Sequence, residues 1–253
     1  MSTHTDATYP PLNQLKPVAE NVWIVDGPLI QFPMPWLRWV RVEFPTRMTI
    51  FRLAGGDLLL HSPTLLTGEL RNQIEQIGRP RWIIGPNRIH YWWIPDWHKA
   101  FPDSRVYLAP RVREQAGKHL DFDTRELVAE TGYPWDSEVD TLPVRGSYMT
   151  EVEFFHRASR TLVLTDLIEN FESSKLNSWI MRWFTKFGGV RDPDGQMPKD
   201  MRATFRKPKG ELRRAVNKMI GWNPERIIVA HGRWYRSDGA RELRRAFRWL
   251  LEQ

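Results

Sequence analysis

Cysteine is absent from all 253 residues. Disulfides, thiolate nucleophiles and cysteine metal sites are therefore excluded, and a reducing, cytoplasmic location is the expectation. No apolar run approaches the ~18 residues needed to cross a bilayer. The opening residues, Met1-Ser-Thr-His-Thr-Asp-Ala-Thr8, lack the basic start and apolar centre of a secretory signal. Internal repeats, low-complexity tracts and any dedicated nucleic-acid motif are also missing. Acidic side chains are scarce in one region. After residue 200, fourteen Lys/Arg face five Asp/Glu, so the net charge of +7 belongs to the end of the chain. Such a basic face attracts nucleic acid, acidic lipid headgroups or an anionic substrate, or it is a solvated arginine surface.

Present instead is a globular composition, 41% hydrophobic and 26% charged. The length suits one α/β sandwich. Thirteen tryptophans are more than a core of this size accommodates, so some should line a pocket or an interface. Between Trp179 and Phe187, apolar side chains occupy more than one helical face. That pattern predicts a lid, a dimer contact, a core helix, or a helix in peripheral contact with a membrane surface.

Residues 1–17, with Pro10, Pro11 and Pro17, read as a flexible tail. Residues 21–25 form a strand turned by Gly27-Pro28. The proline-rich stretch 29–47 reads as an edge strand or aromatic flap carrying Trp36 and Trp39. A hairpin follows at 48–60 around Gly55-Gly56. A helix over 66–76 places Leu66, Leu70, Ile74 and Ile77 on one face and stops at Gly78. Short strands are expected at 82–84, 106–108, 142–144, 150–156, 161–165 and 226–230. Helices are expected at 94–101, 112–117 and 209–220, the last burying Leu212, Ala215, Val216 and Met219. Stretches 121–136 and 188–209 read as irregular. A final helix, capped by Ser237 or Asp238, buries Leu243, Ala246, Phe247 and Leu250.

Four of these strands end on a polar group: His61 after 57–60, His90 shortly after 82–84, Asp166 after 161–165 and His231 after 226–230. Strand ends that each deliver His or Asp suggest one shared site. Two imidazoles and one carboxylate can hold one Zn²⁺ with a fourth position open to water, and His61 would be a third imidazole. The alternative is that these groups hydrogen-bond one another, as buried polar groups must. Ser62 is not read as a nucleophile, because it lies next to His61 in sequence and shows no partnered acid. His156 reads as a turn residue.

In the order of its elements and in these sites, the chain resembles the metallo-β-lactamase superfamily, in a branch of unassigned function. The resemblance implies an α+β four-layer αββα sandwich, two mixed sheets with outer helices, over residues 18–253, with an aromatic insert around 171–209. Pro86 to Pro95 stands where the family has its His-x-His-x-Asp-His metal loop. There Arg88 takes the first position, His90 the second, and Trp92 and Trp93 the last two. Leu164-Thr-Asp166 stands for the strand ending in the bridging aspartate, and Ala230-His-Gly232 for the late Gly-His-Gly. With only His90, Asp166 and His231 kept, the site is at most mononuclear. The resemblance thus implies a divergent hydrolase with a single Zn²⁺ or other divalent ion, or none. Asp166 and Arg88 would act in catalysis, Arg88 by stabilising an oxyanion or holding an anionic small molecule. Trp36, Trp39, Trp92 and Trp93 would form an aromatic pocket. The rival expectation is a non-catalytic ligand-binding or membrane-surface protein that kept the scaffold and lost the metal.

Overall fold

The computed structural model describes residues 7–33, 41–176 and 179–252. Its first sheet takes seven strands in chain order: β1 (Lys16–Ala19), β2 (Val22–Pro33), β3 (Arg41–Arg52), β4 (Asp57–His61), β5 (Arg79–Gly85), β6 (Arg105–Leu108) and β7 (Thr124–Glu126). Pairing is antiparallel from β1 to β4 and parallel from β4 to β7. The second sheet holds β8 (Val139–Arg145), β9 (Thr150–His156), β10 (Thr161–Leu164) and β11 (Arg226–Val229) in spatial order β11-β10-β9-β8. There β10 and β11 run parallel and the other pairs antiparallel. Both sheets are mixed. The helices are α1 (Gly68–Ile77), α2 (Ile94–Ala100), α3 (Val112–Ala116), α4 (Trp179–Gly188), α5 (Lys199–Thr204), α6 (Lys209–Gly221), α7 (Gly239–Ala246) and α8 (Arg248–Leu251). Helices α1 and α2 pack on β5 of the first sheet and α6 on β8 of the second, which is the expected αββα sandwich. Among the described residues no helix is long and apolar enough to cross a membrane.

The period-two alternation of the strands divides the apolar residues between two layers. On β9, Val152 and Phe154 join Val163 and Ile228 in the core shared with the first sheet. Phe155 points the other way and joins Leu162, Leu164, Ile227 and Val229 beneath α6 and α7. The predicted stripe of α6, Leu212, Ala215, Val216 and Met219, is buried as a set.

Several expectations need correction. From residue 7 the N-terminal segment packs instead of trailing free. Thr8 is buried, the Tyr9 hydroxyl donates to Glu172 at 2.7 Å, and Lys16 pairs with Asp26 at 2.7 Å. Prolines there forbid helix but not packing. Gly27-Pro28 does not end its strand. The chain bulges between Asp26 and Leu29 and continues to Pro33. A Cβ on Gly27 would sit 1.7 Å from the Thr64 hydroxyl oxygen, so glycine allows a close approach there rather than a turn. The far halves of β2 and β3 pair only with each other, since β1 reaches Ile24 and β4 begins opposite Arg52 and ends opposite Thr49. That ribbon matches the edge or flap reading; Trp36 and Trp39 lie outside the described residues. Stretch 121–136 supplies the short edge strand β7, and 188–209 contains α5. Helix α1 begins at Gly68, where the Thr67 hydroxyl accepts from the Leu70 amide. The final helix breaks into α7 and α8 at Phe247.

Candidate metal centre

The ends of β10 and β11 are neighbours in register, Leu164 opposite Val229, so Asp166 and His231 leave the second sheet side by side. The loop after β5 crosses from the first sheet and is tied there by the Val152 amide, which donates to the Pro86 carbonyl at 2.9 Å. It delivers His90. One ligand atom from each of His90, Asp166 and His231 falls within 4.8 Å of the others. The Nε2 of His231 lies 3.1 Å from one Asp166 oxygen and that of His90 3.4 Å from the other.

Each member is held from behind. His231 Nδ1 lies 2.7 Å from the Pro45 carbonyl, which can only accept, so Nδ1 carries a proton. The neutral ring therefore presents its lone pair at Nε2, toward the carboxylate. The His231 turn is fixed by Arg47, whose Nη1 donates to the carbonyls of Val229 at 2.6 Å and Gly232 at 2.9 Å, while its Nε donates to Asp26 at 2.8 Å. His90 Nδ1 meets the Ser62 hydroxyl at 2.7 Å. Ser62 thus partners His90 through space, not His61 beside it. Asp166 Oδ2 accepts from Asn87 Nδ2 at 2.6 Å. Rings of Phe44 and Phe171 lie 5.2 and 6.5 Å from that of His231 and shield it on the apolar side.

Glu151 closes the turn after β10. Its carboxylate accepts from the amides of Thr165, Asp166 and Leu167 at 2.7–3.2 Å, three donors that the strand ladder leaves unpaired. Burial and then the Asp166 charge push this carboxyl up from its ordinary value. Glu153 shares the same face of β9. Burial, followed by the Glu151 charge, raises it well above the usual range, and its protonated form is the one able to hydrogen-bond Glu151. Glu169 is raised likewise, first by burial and then by Asp166. At Asp166 burial opposes ionisation, but when the two imidazoles are protonated the His90 charge and the hydrogen bonds of His231 and His90 outweigh it and hold the carboxyl below the usual range.

Of the expected site residues, His90, Asp166 and His231 come together. His61 does not join them. It ends β4 fully inside the core, its ring 5.2 Å from that of Phe154, and burial followed by the His90 charge pulls it down to about 3. Arg88 points elsewhere: its guanidinium donates to Gln115 at 2.6 Å and to the Tyr148 carbonyl at 3.2 Å, and lies over the Tyr148 ring. The polar group beside Asp166 is its neighbour Asn87. Trp92 and Trp93 line a recess of about 10 Å³ with Ser62, Thr46 and His90, room for one water. His156 is buried and stacked on Phe51 rather than lying in a surface turn. Asn87, Glu151 and Arg47 carry no reading in the sequence, and Ser62 is weighed there only as a nucleophile. The two glutamates interrupting the apolar run of β9 were the one available signal.

Two imidazoles and a carboxylate suit one divalent ion of the Zn²⁺ type, with a coordination position left over. Among the described residues no further His, Asp or Glu joins the group, so a second ion has no ligand set.

The model of a family described as "Domain of unknown function (DUF4336)" matches residues 35–200. No curated protein matches the chain. Among solved structures, a metallo-β-lactamase from Pontibacter korlensis is similar at a TM-score of 0.60 and 10% identity, over 95% of this chain and 99% of that one. The metallo-β-lactamase FIM-1 from Pseudomonas aeruginosa, in its mono-zinc form, gives 0.57 and 11% over 94% and 96%. A metal-soaked Flv1 flavodiiron core from Synechocystis sp. PCC6803 gives 0.62 and 12%, over 94% of this chain and 60% of that one. At such identities the likeness establishes the fold alone.

Proposed function

The chain belongs to the DUF4336 family, carries the metallo-β-lactamase fold, and from that premise we propose a divergent hydrolase that binds one divalent metal ion through His90, Asp166 and His231. One observation carries the reading. His231 spends its Nδ1 proton on Pro45, so a lone pair at Nε2 faces a carboxylate oxygen 3.1 Å away. Two lone pairs at that distance repel unless a proton or a cation lies between them. A mononuclear site is also the state named for the FIM-1 neighbour.

When bound, such an ion supplies Lewis-acid chemistry suited to hydrolysis. The protein's part is positioning. Pro45 fixes the tautomer of His231, Ser62 orients His90, and Asn87 holds Asp166. Phe44 and Phe171 keep bulk water from one side of His231. The recess beside His90, walled by Trp92 and Trp93, has room for one water, the co-substrate of a hydrolysis.

The second reading, a scaffold without metal, is favoured by Asn87. Its 2.6 Å hydrogen bond already satisfies the oxygen that faces His90, and a protonated His231 would satisfy the other. Elemental analysis of protein purified without added metal or chelator decides between them. The proposal expects close to one equivalent of metal in the wild type and none in Asp166→Ala. Metal well below one equivalent in the wild type, unchanged by reloading, supports the scaffold reading.

A further inference from the structure

Helix α4 shows its apolar side to solvent. Trp179, Trp183 and Phe187 are 71%, 57% and 58% exposed, the three most exposed large apolar side chains among the described residues. Their spacing of four residues sets them along one stripe of the helix. Met181 and Thr185, on the opposite side, are buried. The rings of Trp183 and Phe187 stack at 4.9 Å, so the stripe is continuous. Arg182 and Lys186 are exposed and border it, and the helix has no acidic residue.

An exposed aromatic stripe edged by cations and free of carboxylates fits one environment, the boundary between headgroups and acyl chains of an anionic bilayer. Indole and phenyl rings sit at that boundary, and guanidinium and ammonium groups reach the phosphates above it. A protein partner would match the rings, but the charge pattern would then require an acidic groove. A second copy of this chain docked face to face brings only another basic helix. We propose that α4 docks this protein reversibly on anionic membrane surfaces. Met181, on its buried side, shares a small apolar cluster with Phe171, packed against Phe44, and those two rings flank His231. Docking through α4 therefore sets the membrane on the side of the molecule where His231 is covered by aromatic rings. The inference does not depend on the metal.

The test is co-sedimentation with sucrose-loaded vesicles of phosphatidylcholine alone and of phosphatidylcholine with phosphatidylglycerol. The full chain, Trp179→Ser/Trp183→Ser/Phe187→Ser and Arg182→Gln/Lys186→Gln are compared. Circular dichroism and melting confirm that each variant folds. The expected result is partition onto the anionic vesicles with a blue shift of tryptophan emission. Partition should fall at least about tenfold in the aromatic variant, and less, toward the neutral-vesicle value, in the basic one. If the aromatic variant misfolds, Trp183→Ser alone with the basic variant carries the comparison. No sedimentation of the wild type with anionic vesicles overturns the proposal. So does equal partition of wild type and variants, or a wild-type dimer in light scattering that the aromatic variant abolishes.

Discussion

Asn87 Nδ2 stands 2.6 Å from Asp166 Oδ2, closer than either imidazole that shares this carboxylate. The same amide nitrogen reaches the Thr165 hydroxyl at 2.9 Å and Glu151 at 3.3 Å. A neutral donor therefore sits where Asp166 and Glu151 would otherwise repel each other. Asn87→Asp removes the donor and adds a buried like charge. It should lower the stability of metal-free protein by about 1–3 kcal/mol in urea melts. Adding Zn²⁺ should restore a larger share of that loss than it adds to the wild type. Equal Zn²⁺ effects on both proteins would separate Asn87 from the metal site.

Arg47 is the buried brace of the His231 turn, with its guanidinium divided between Asp26 and two carbonyls. Arg47→Met leaves the buried Asp26 carboxylate with Lys16 as its one remaining ion pair among the described residues and strands two carbonyl acceptors at once. A loss of roughly 3–5 kcal/mol is expected, the range for breaking one side of a buried pair. Asp26→Asn in the same background should recover part of it. Denaturant unfolding of the two variants measures both effects.

Glu153 sets a pH dependence whose sign is fixed. Its folded-state value is raised from 4.5, so the native protein holds a proton that the unfolded chain releases. This contribution to stability is complete below 4.5 and is lost as pH rises toward the folded value. Glu153→Gln keeps the neutral shape and removes the dependence. The variant should match the wild type near pH 4.5 and gain on it by about 1.4 kcal/mol per pH unit above, until the folded value is passed. Melting temperatures from pH 5 to 8 provide the measurement. A gap that stays constant across that range would contradict a buried, protonated Glu153.

Elements with clear periodicity were legible in the sequence. The α6 stripe and the strands ending at His61, Asp166 and His231 all read from apolar runs and their polar ends. Convergence of His90, Asp166 and His231 followed from strand ends in a sandwich. What could not be read was whatever depended on contact across the sheets. Ser62 meets His90 from 28 residues away, and Pro45 meets His231 from 186. Arg88 is expected at the site because the resemblance sets it at the first position of the metal loop. The turn after β5 instead aims Asn87 inward and sends the longer guanidinium out to Tyr148 and Gln115. His61 is not among the grouped ligands because β4 ends inside the core, where its ring packs against Phe154 apart from His90, Asp166 and His231. Gly27-Pro28 reads as a turn in the sequence, whereas the missing Cβ of Gly27 serves a close approach to Thr64.

The central claim, one metal ion between His90, Asp166 and His231, is tested most directly by calorimetric titration of chelator-treated protein with Zn²⁺ at neutral pH in two buffers of different ionisation enthalpy. The account predicts a single site with a stoichiometry of one, heat that differs between the buffers as displaced protons are released, weaker binding in mild acid, and no binding by His231→Ala. A stoichiometry of two, or wild-type protein that takes up no Zn²⁺, Mn²⁺ or Fe²⁺, would contradict it.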